Sequence, residues 1–201
     1  VVCAMWEVGG GSVLLLAADL GGAVLGAVRD NTQWRTPGRR NPELRTLGLP
    51  GWPYFNAGVL LIDTGAWVVA GMEERLVALW REKGAAMTRH DQSLLNVAME
   101  GRWAEVSPVW NWQWTWSSRH FAEIVGPRLI HFIGRRKPWG DKGCELPPRF
   151  RAGYAEFVAR HWPAAGLMAG VDAARPGWPA NLRRGLLKHW SAAPAMRRYL
   201  D

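Results

Sequence analysis

Short apolar runs alternate along this chain with stretches that follow a helical period, and that alternation predicts an α/β domain. The first dozen residues, with Gly9-Gly10-Gly11 among them, carry no clear period. Val13–Leu20 reads as a short helix. Gly22–Val28 (GAVLGAV) is apolar and β-prone, so it reads as a buried strand with Asp30 just past its end. Thr32–Pro53 is polar and rich in Pro, Gly and Arg, which predicts a long surface loop with a helical turn at Pro42–Leu47. Tyr54–Asp63 (YFNAGVLLID) is a turn leading into a second buried strand, with Thr64 placed to cap the next helix. Met72, Leu76, Leu79, Trp80 and Lys83 fall at helical spacing, giving an amphipathic helix over Gly71–Lys83 that Gly84 ends.

Asp91 opens another predicted helix. Leu94, Leu95 and Ala98 share its face, so that face is expected to point at the core and Asp91 to lean inward. Trp103–Val106 and Leu129–Phe132 read as short strands. Phe150, Tyr154, Phe157, Val158 and His161 mark the last strongly periodic helix. From Pro163 the chain turns rich in Ala, Pro, Gly and Arg, with a short basic helix at Asn181–Trp190. The expected organisation is one domain over 1–162 and a basic tail over 163–201.

Composition narrows the class. With 48% hydrophobic and 21% charged residues, the 201-residue chain is not disordered and is long enough to bury a core. Its apolar runs are too short to cross a bilayer, and no secretory signal is read. Cys3 and Cys144 form no CxxC pair, which fits a cytosolic compartment. The net charge of +8 concentrates in Arg29–Arg45, Arg128–Lys142 and Arg175–Arg198, compatible with a solvated face, phosphorylated substrates, nucleic acid or an anionic membrane surface. Leu182, Leu186, Leu187 and Trp190 share a helical face beside those last cations, as a packed terminal helix or a peripheral membrane contact would. Among 14 tryptophans, Trp110, Trp112, Trp114 and Trp116 alternate, predicting an extended segment with one aromatic face. That run contains no Lys or Arg, which counts against nucleic-acid binding, and no nucleic-acid partner is expected.

The segment Arg128–Trp139 (RLIHFIGRRKPW) carries the clearest chemistry. An apolar strand ends on His131, a glycine turn comes next, then three cations and a proline. A neutral imidazole beside a cationic loop suits a metal-bound diphosphate leaving group.

YFNAGVLLID at Tyr54–Asp63, DQSLLN at Asp91–Asn96, WN at Trp110-Asn111 and HFIGRRKPW at His131–Trp139 occur in this order. Together they resemble the retaining glycosyltransferases of family 8, relatives of bacterial lipopolysaccharide galactosyl- and glucosyltransferases and of glycogenin. LAADLGGAVLGAVRD at Leu16–Asp30 is similar to a further segment of that family. The resemblance implies a partial GT-A fold, a Rossmann-like mixed sheet flanked by helices. It also implies a UDP-hexose donor, Mn²⁺ and a glycan or glycolipid acceptor. His131 would ligate the metal. Lys137 would neutralise the leaving diphosphate, and Gly134 would let the backbone approach it. Asp91 and Gln92 would be the catalytic pair beside the transferred sugar. Asp30, Asn56 and Ala57 would line the donor sugar, and Asn111 and Gln113 would reach toward the acceptor. Taken alone, each residue also has a plainer role: Asp91 a helix cap, Asp30 and Asn56 turn formers, His131 a core histidine, Lys137 a solvated charge.

The family's metal-binding D-x-D is absent: before Asp30 the only acids are Glu7 and Asp19. The expectation is therefore an N-terminally truncated hexosyltransferase with weak or no Mn²⁺ binding and little activity on its own. An unpaired sheet edge would accompany it. The alternative is a non-catalytic glycan-binding remnant. The expected location is cytoplasmic, or peripheral to the inner membrane face.

Overall fold

A computed structural model describes residues 5–7, 12–34, 41–115, 117–135, 137–176 and 179–200. Among the described residues, six strands form two three-stranded mixed sheets with helices packed around them. In the first, β2 (Leu25–Arg29) lies between β3 (Phe55–Ile62), antiparallel to it, and β4 (Ala104–Glu105), parallel to it. In the second, β6 (Leu129–His131) lies between β1 (Met5–Glu7), antiparallel, and β5 (Trp112–Gln113), parallel. The expected bare edge is thus partly met, because Met5–Glu7, which the sequence pattern leaves unassigned, pairs with Leu129–His131.

Strand β2 begins later than its apolar run, because Gly21 and Gly22 take positive φ in the preceding turn. Its register against β3 shifts between Ala27 and Val28, so consecutive apolar residues meet different cores. Leu25 and Ala27 join Phe55, Met72, Ala98 and Met99. Val28 joins a larger aromatic cluster with Trp34, Trp112, Phe132 and Phe150.

Several expectations need correction. The 32–53 segment is not wholly a surface loop. Beyond α1 (Ser12–Leu16) it holds α2 (Asn31–Trp34) and, where the helical turn is expected, α3 (Pro42–Thr46), and these bury Gln33, Trp34, Glu43 and Leu44. Asn41, not evident as a cap from the pattern, accepts a bond from the Glu43 amide at 2.9 Å. Thr64 does not cap the next helix, α4 (Thr64–Val69). Asp63 does, accepting from the Ala66 amide at 2.9 Å. The third concerns α6 (His90–Met99), which comes after α5 (Met72–Lys83). Asp91 does not lean inward. It is exposed in the first turn, and the buried positions are Ser93, Asn96, Val97, Ala98 and Met99. Ser93 and Asn96 turn in because each has a buried partner, Glu43 and the Phe55 backbone respectively.

The tryptophan run is not one extended ribbon. A 3₁₀ turn covers Pro108–Trp110 and the strand holds only Trp112 and Gln113. Trp116 lies outside the described residues. After α7 (Ala122–Val125) and β6 comes α8 (Pro148–His161), then a helix much longer than the short basic one expected. This α9 spans Pro179–Leu200 and contains Pro194. Ala192 and Met196 pack into the aromatic cluster, so the tail helps complete the main core. No helix among the described residues is long and apolar enough to cross a membrane.

Candidate active site

His131 ends β6, 5% exposed, and its Nδ1 lies 3.1 Å from both Asn56 Oδ1 and Asn111 Oδ1. Both neighbours are acceptors, so Nδ1 carries the proton and donates. Nε2 then keeps its lone pair and makes no bond among the described residues. Burial, and after it the positive charge of Lys137, pushes the imidazole down to about 4. The ring is therefore neutral near pH 7, in the tautomer that presents Nε2 as an electron-pair donor.

Asn56, at the start of β3, is the hub of this cluster. Its Oδ1 also accepts from the Gly58 amide at 3.0 Å and from Asn111 Nδ2 at 2.9 Å. Its Nδ2 donates to Gln92 Oε1 at 3.1 Å, and the half-buried Ala57 offers its amide to the same oxygen at 3.3 Å. Gln92 Nε2 reaches on to Asp30 Oδ2 at 3.3 Å. Asp30 is 3% exposed and fully engaged: Thr32 N and Oγ1 donate to Oδ1 at 3.0 and 2.7 Å, and Arg89 Nη1 joins Gln92 on Oδ2 at 3.1 Å. Four donors fill the four lone-pair sites of a carboxylate. In this arrangement Asp30 holds Gln92 and Arg89. Asp30, Asn56, Ala57, Gln92 and His131 thus come together in one connected network. Asp91 sits at its rim, exposed and without a hydrogen bond among the described residues.

Gly134 and Lys137 lie on the loop leaving His131. Gly134 adopts φ +71°, a conformation that favours glycine, in an exposed turn with open space where a Cβ would stand. Lys137 donates through Nζ to the Phe132 carbonyl, and its charge is felt at His131. Arg135 is exposed, and Arg136 lies outside the described residues. Strands β5 and β6 run parallel, and the residues just beyond their carboxyl ends, Trp114, Thr115 and Phe132–Arg135, line a cleft of about 280 Å³. Arg119, Glu145 and Leu146 close its far side. Crevices at the carboxyl ends of strands are the usual ligand sites of open α/β sheets. The backbone beside the cleft is tied to β6, where the Trp114 amide donates to the His131 carbonyl at 2.8 Å.

The model of the family described as Glycosyl transferase family 8 matches residues 8–143. The chain belongs to this family. Glycosyltransferase GlyA of Streptococcus pneumoniae serotype 4 (strain ATCC BAA-334 / TIGR4) is 31% identical over 101 residues, 47% of this chain and 14% of the relative. A probable glycosyl transferase Gly of Streptococcus gordonii is 31% identical over 130 residues, 63% of this chain and 17% of the relative. Lipopolysaccharide glucosyltransferase WaaO of Escherichia coli (strain K12) is 29% identical over 101 residues, 47% of this chain and 30% of that one. The chain thus spans well under half of each of these relatives.

Among solved structures, galactosyltransferase LgtC in complex with donor and acceptor sugar analogs superposes with a TM-score of 0.53 at 25% identity, covering 68% of this chain and 52% of that one. Apo GlyE of Streptococcus pneumoniae TIGR4 superposes at 0.50 with 22% identity, covering 68% of this chain and 33% of that one, a likeness of fold alone. The architecture is the GT-A glycosyltransferase fold.

For a family 8 chain, the fit of Mn²⁺ is the natural test of the site. Among the described residues no group of three His, Cys, Asp or Glu is placed to hold a metal. His131 Nε2 offers one nitrogen, and Mn²⁺ prefers several oxygens. The described residues therefore do not make a manganese site.

Several members of the network receive no role from the sequence pattern: Arg89 lies outside the motifs, and Asn96 and Gly58 lie within them. Arg89 touches Asp30, and Asn96 pins the Phe55 backbone through both amide atoms. Gly58 is required because a Cβ there would overlap the His131 ring. Asn111 and Gln113 do not reach toward an acceptor. Both are fully buried: Asn111 bonds Asn56, and Gln113 bonds Asn31 N and Arg29 O at 2.8 and 2.9 Å.

Proposed function

We propose that this chain is the sugar-transferring part of a family 8 hexosyltransferase. It moves a hexose from a UDP-sugar to a glycan or glycolipid acceptor, with retention at the anomeric carbon. The observation that carries the reading is the His131 imidazole, held neutral with its proton on Nδ1 and its lone pair turned away from the Asn56–Gln92–Asp30 network. The network sets the Gln92 carbonyl oxygen and the rim carboxylate of Asp91 at one end of α6. There Asp91 can accept sugar hydroxyl bonds or stabilise oxocarbenium charge at the reacting carbon. Lys137, whose charge reaches His131, and the Gly134 turn lie on the loop after β6, where an ammonium and an approachable backbone suit a departing diphosphate. The cleft beyond β5 and β6 takes the acceptor, its Trp114 ring offering an apolar platform.

Divalent metal chemistry, if the reaction uses it, needs ligands beyond those described, and this polypeptide alone is expected to turn over little or no UDP-sugar. Calorimetry with UDP, and with UDP-glucose or UDP-galactose, tests the donor reading. The expected result is weak UDP binding that disappears in Lys137→Ala. No binding of any of these nucleotides would sink the donor reading. Robust transfer by the chain alone would overturn the expectation of inactivity.

A peripheral membrane contact through α9 belongs to the same reading. Leu182, Leu186, Leu187 and Trp190 are exposed beside Arg183, Arg184 and Lys188. Sedimentation with vesicles containing phosphatidylglycerol is expected to co-pellet the protein, and Trp190→Ser with Leu186→Ser to release it. Equal retention on neutral vesicles would remove the role of the cations.

A further inference from the structure

The start of α6 is held from outside the helix. Its cap position is Arg89, which supplies no side-chain cap bond. His90, the first helical residue, has φ +45°, a left-handed conformation that a non-glycine residue keeps only where its surroundings impose it. Those surroundings include Glu43, buried at the first turn of α3, 45 residues earlier in the chain than Thr88. Its Oε1 accepts from the Thr88 amide, from Thr88 Oγ1 at 3.0 Å and from the Arg89 amide at 3.3 Å. Its Oε2 accepts from Ser93 Oγ at 2.6 Å and Tyr54 Oη at 3.3 Å. The two amides can only donate and the three hydroxyls can donate as well, so an ionised carboxylate accepts from all five. Ser93 comes directly after Gln92, and Arg89 lies two residues before Asp91. One carboxylate thus clamps both sides of the Asp91–Gln92 pair.

We propose that Glu43 is a positioning residue for sugar transfer: a cap supplied by α3 that fixes the strained His90 turn and so aims Asp91 and Gln92. It touches no substrate in this assignment. That it serves a sugar rests on the transferase reading; the clamp itself does not. Burial alone would raise the Glu43 pKa, but the hydrogen bonds from Ser93, Thr88 and Arg89 win and hold it below the usual carboxylate value.

Glu43→Gln keeps the shape and turns an NH₂ against these donors. Amide hydrogen exchange is expected to show protection at Thr88 and Arg89 falling about tenfold or more, with Ala27 and Leu60 in the β2–β3 pair unchanged. The Gln92 side-chain amide signals should shift or broaden in parallel. Lowering the pH should loosen Thr88 in the wild type but not further in the variant. If Glu43→Gln does not fold, Ser93→Ala removes a single donor and should give a weaker version of the same local pattern. Uniform loss of protection across both regions would make Glu43 a general stabiliser and overturn the proposal, as would no change at all. UDP-glucose and UDP then separate the two claims. A fall in UDP-glucose affinity with UDP affinity kept supports aiming at the sugar. Equal affinities in variant and wild type overturn that part. A wild type that binds neither nucleotide defeats the transferase reading and leaves the clamp to be decided by the exchange data.

Discussion

The two sides of His131 are built on opposite principles. On the Nδ1 side, the side-chain polar atoms of Asp30, Asn56, Gln92 and Asn111 all have protein partners, and the group is buried or nearly so. On the other side, the Gly134–Arg135 turn is exposed and the cleft beyond it is open. A saturated network in low dielectric rigidifies whatever it holds, because each lost partner leaves a buried polar group unpaired. An exposed turn such as Gly134–Arg135 gives little stability and leaves its backbone open to solvent. The difference separates side chains that hold one another in place from a turn that faces solvent.

The largest effect is expected at the hub of the saturated side. Asn56→Ala strips partners from the Gly58 amide, Gln92, Asn111 and His131 at once. Unsatisfied buried groups of this kind should lower stability by about 3 kcal/mol, read as a shift in urea midpoint at constant slope. A change below about 0.5 kcal/mol would place the network in contact with water and erase the contrast.

Next comes pH. The folded pKa of His131, about 4, is below its ordinary value of 6.5, so the unfolded chain takes up the proton first. The associated stability is complete above about 6.5 and is lost as pH falls toward 4, in total about 3 kcal/mol. Urea midpoints at pH 7 and pH 4.5 measure most of it, and His131→Gln should flatten the difference. Glu43 acts in the same direction at lower pH, since its depressed pKa keeps its clamp intact until acid reaches below the usual carboxylate range.

Sequence pattern alone exposes the open side better than the saturated one. His131, Gly134 and Lys137 stand in a short local motif, and their loop is visible in the order of apolar, glycine and cationic residues. The α/β class and most strands and helices are legible too, because apolar runs and helical periods are local signals. The network is only half legible. Asn56, Gln92 and Asp30 stand out in their motifs, but the bonds that saturate Asp30 come from Thr32, Arg89 and Gln92, up to 62 residues away in sequence. Glu43 in NPEL reads as a first-turn acid of a surface helix, and no period marks it as buried. The pattern misplaces Asp91 because apolar phase alone sets the expected inward face, whereas polar Ser93 and Asn96, on another side of the helix, are buried by their bonds to Glu43 and the Phe55 backbone. The length of α9 is hidden by its Pro and Gly content, although Pro194 stands inside the helix.

Gly58→Ala sharpens the comparison by steric means. The added methyl collides with the His131 ring and must displace it or bend β3, an overpacking strain of about 2 kcal/mol. Gly65→Ala is the matched control: its Cβ would meet only Asp63 Oδ1, at 3.4 Å, inside the first turn of α4. That change should be neutral or slightly stabilising, through lower unfolded-chain entropy. Equal melting shifts for the two variants would mean that the His131 pocket has slack.

The smallest effect on stability belongs to Lys137, and the comparison turns on it. Lys137→Ala removes a half-buried ammonium whose Nζ bonds the Phe132 carbonyl. The stability change should stay under about 1 kcal/mol, because such a charge recovers much of its interaction from water when unfolded. His131 should respond in a graded way. Burial is the first cause of its low pKa and persists in the variant, while the Lys137 charge is the second and disappears. The imidazole should therefore titrate somewhat higher than in the wild type yet remain below 6.5, readable from its ring proton shifts. UDP affinity should fall about tenfold or more if the loop grips a diphosphate. An unmoved His131 titration would set the ammonium apart from the imidazole, and the open side of the site would lose its centre of charge.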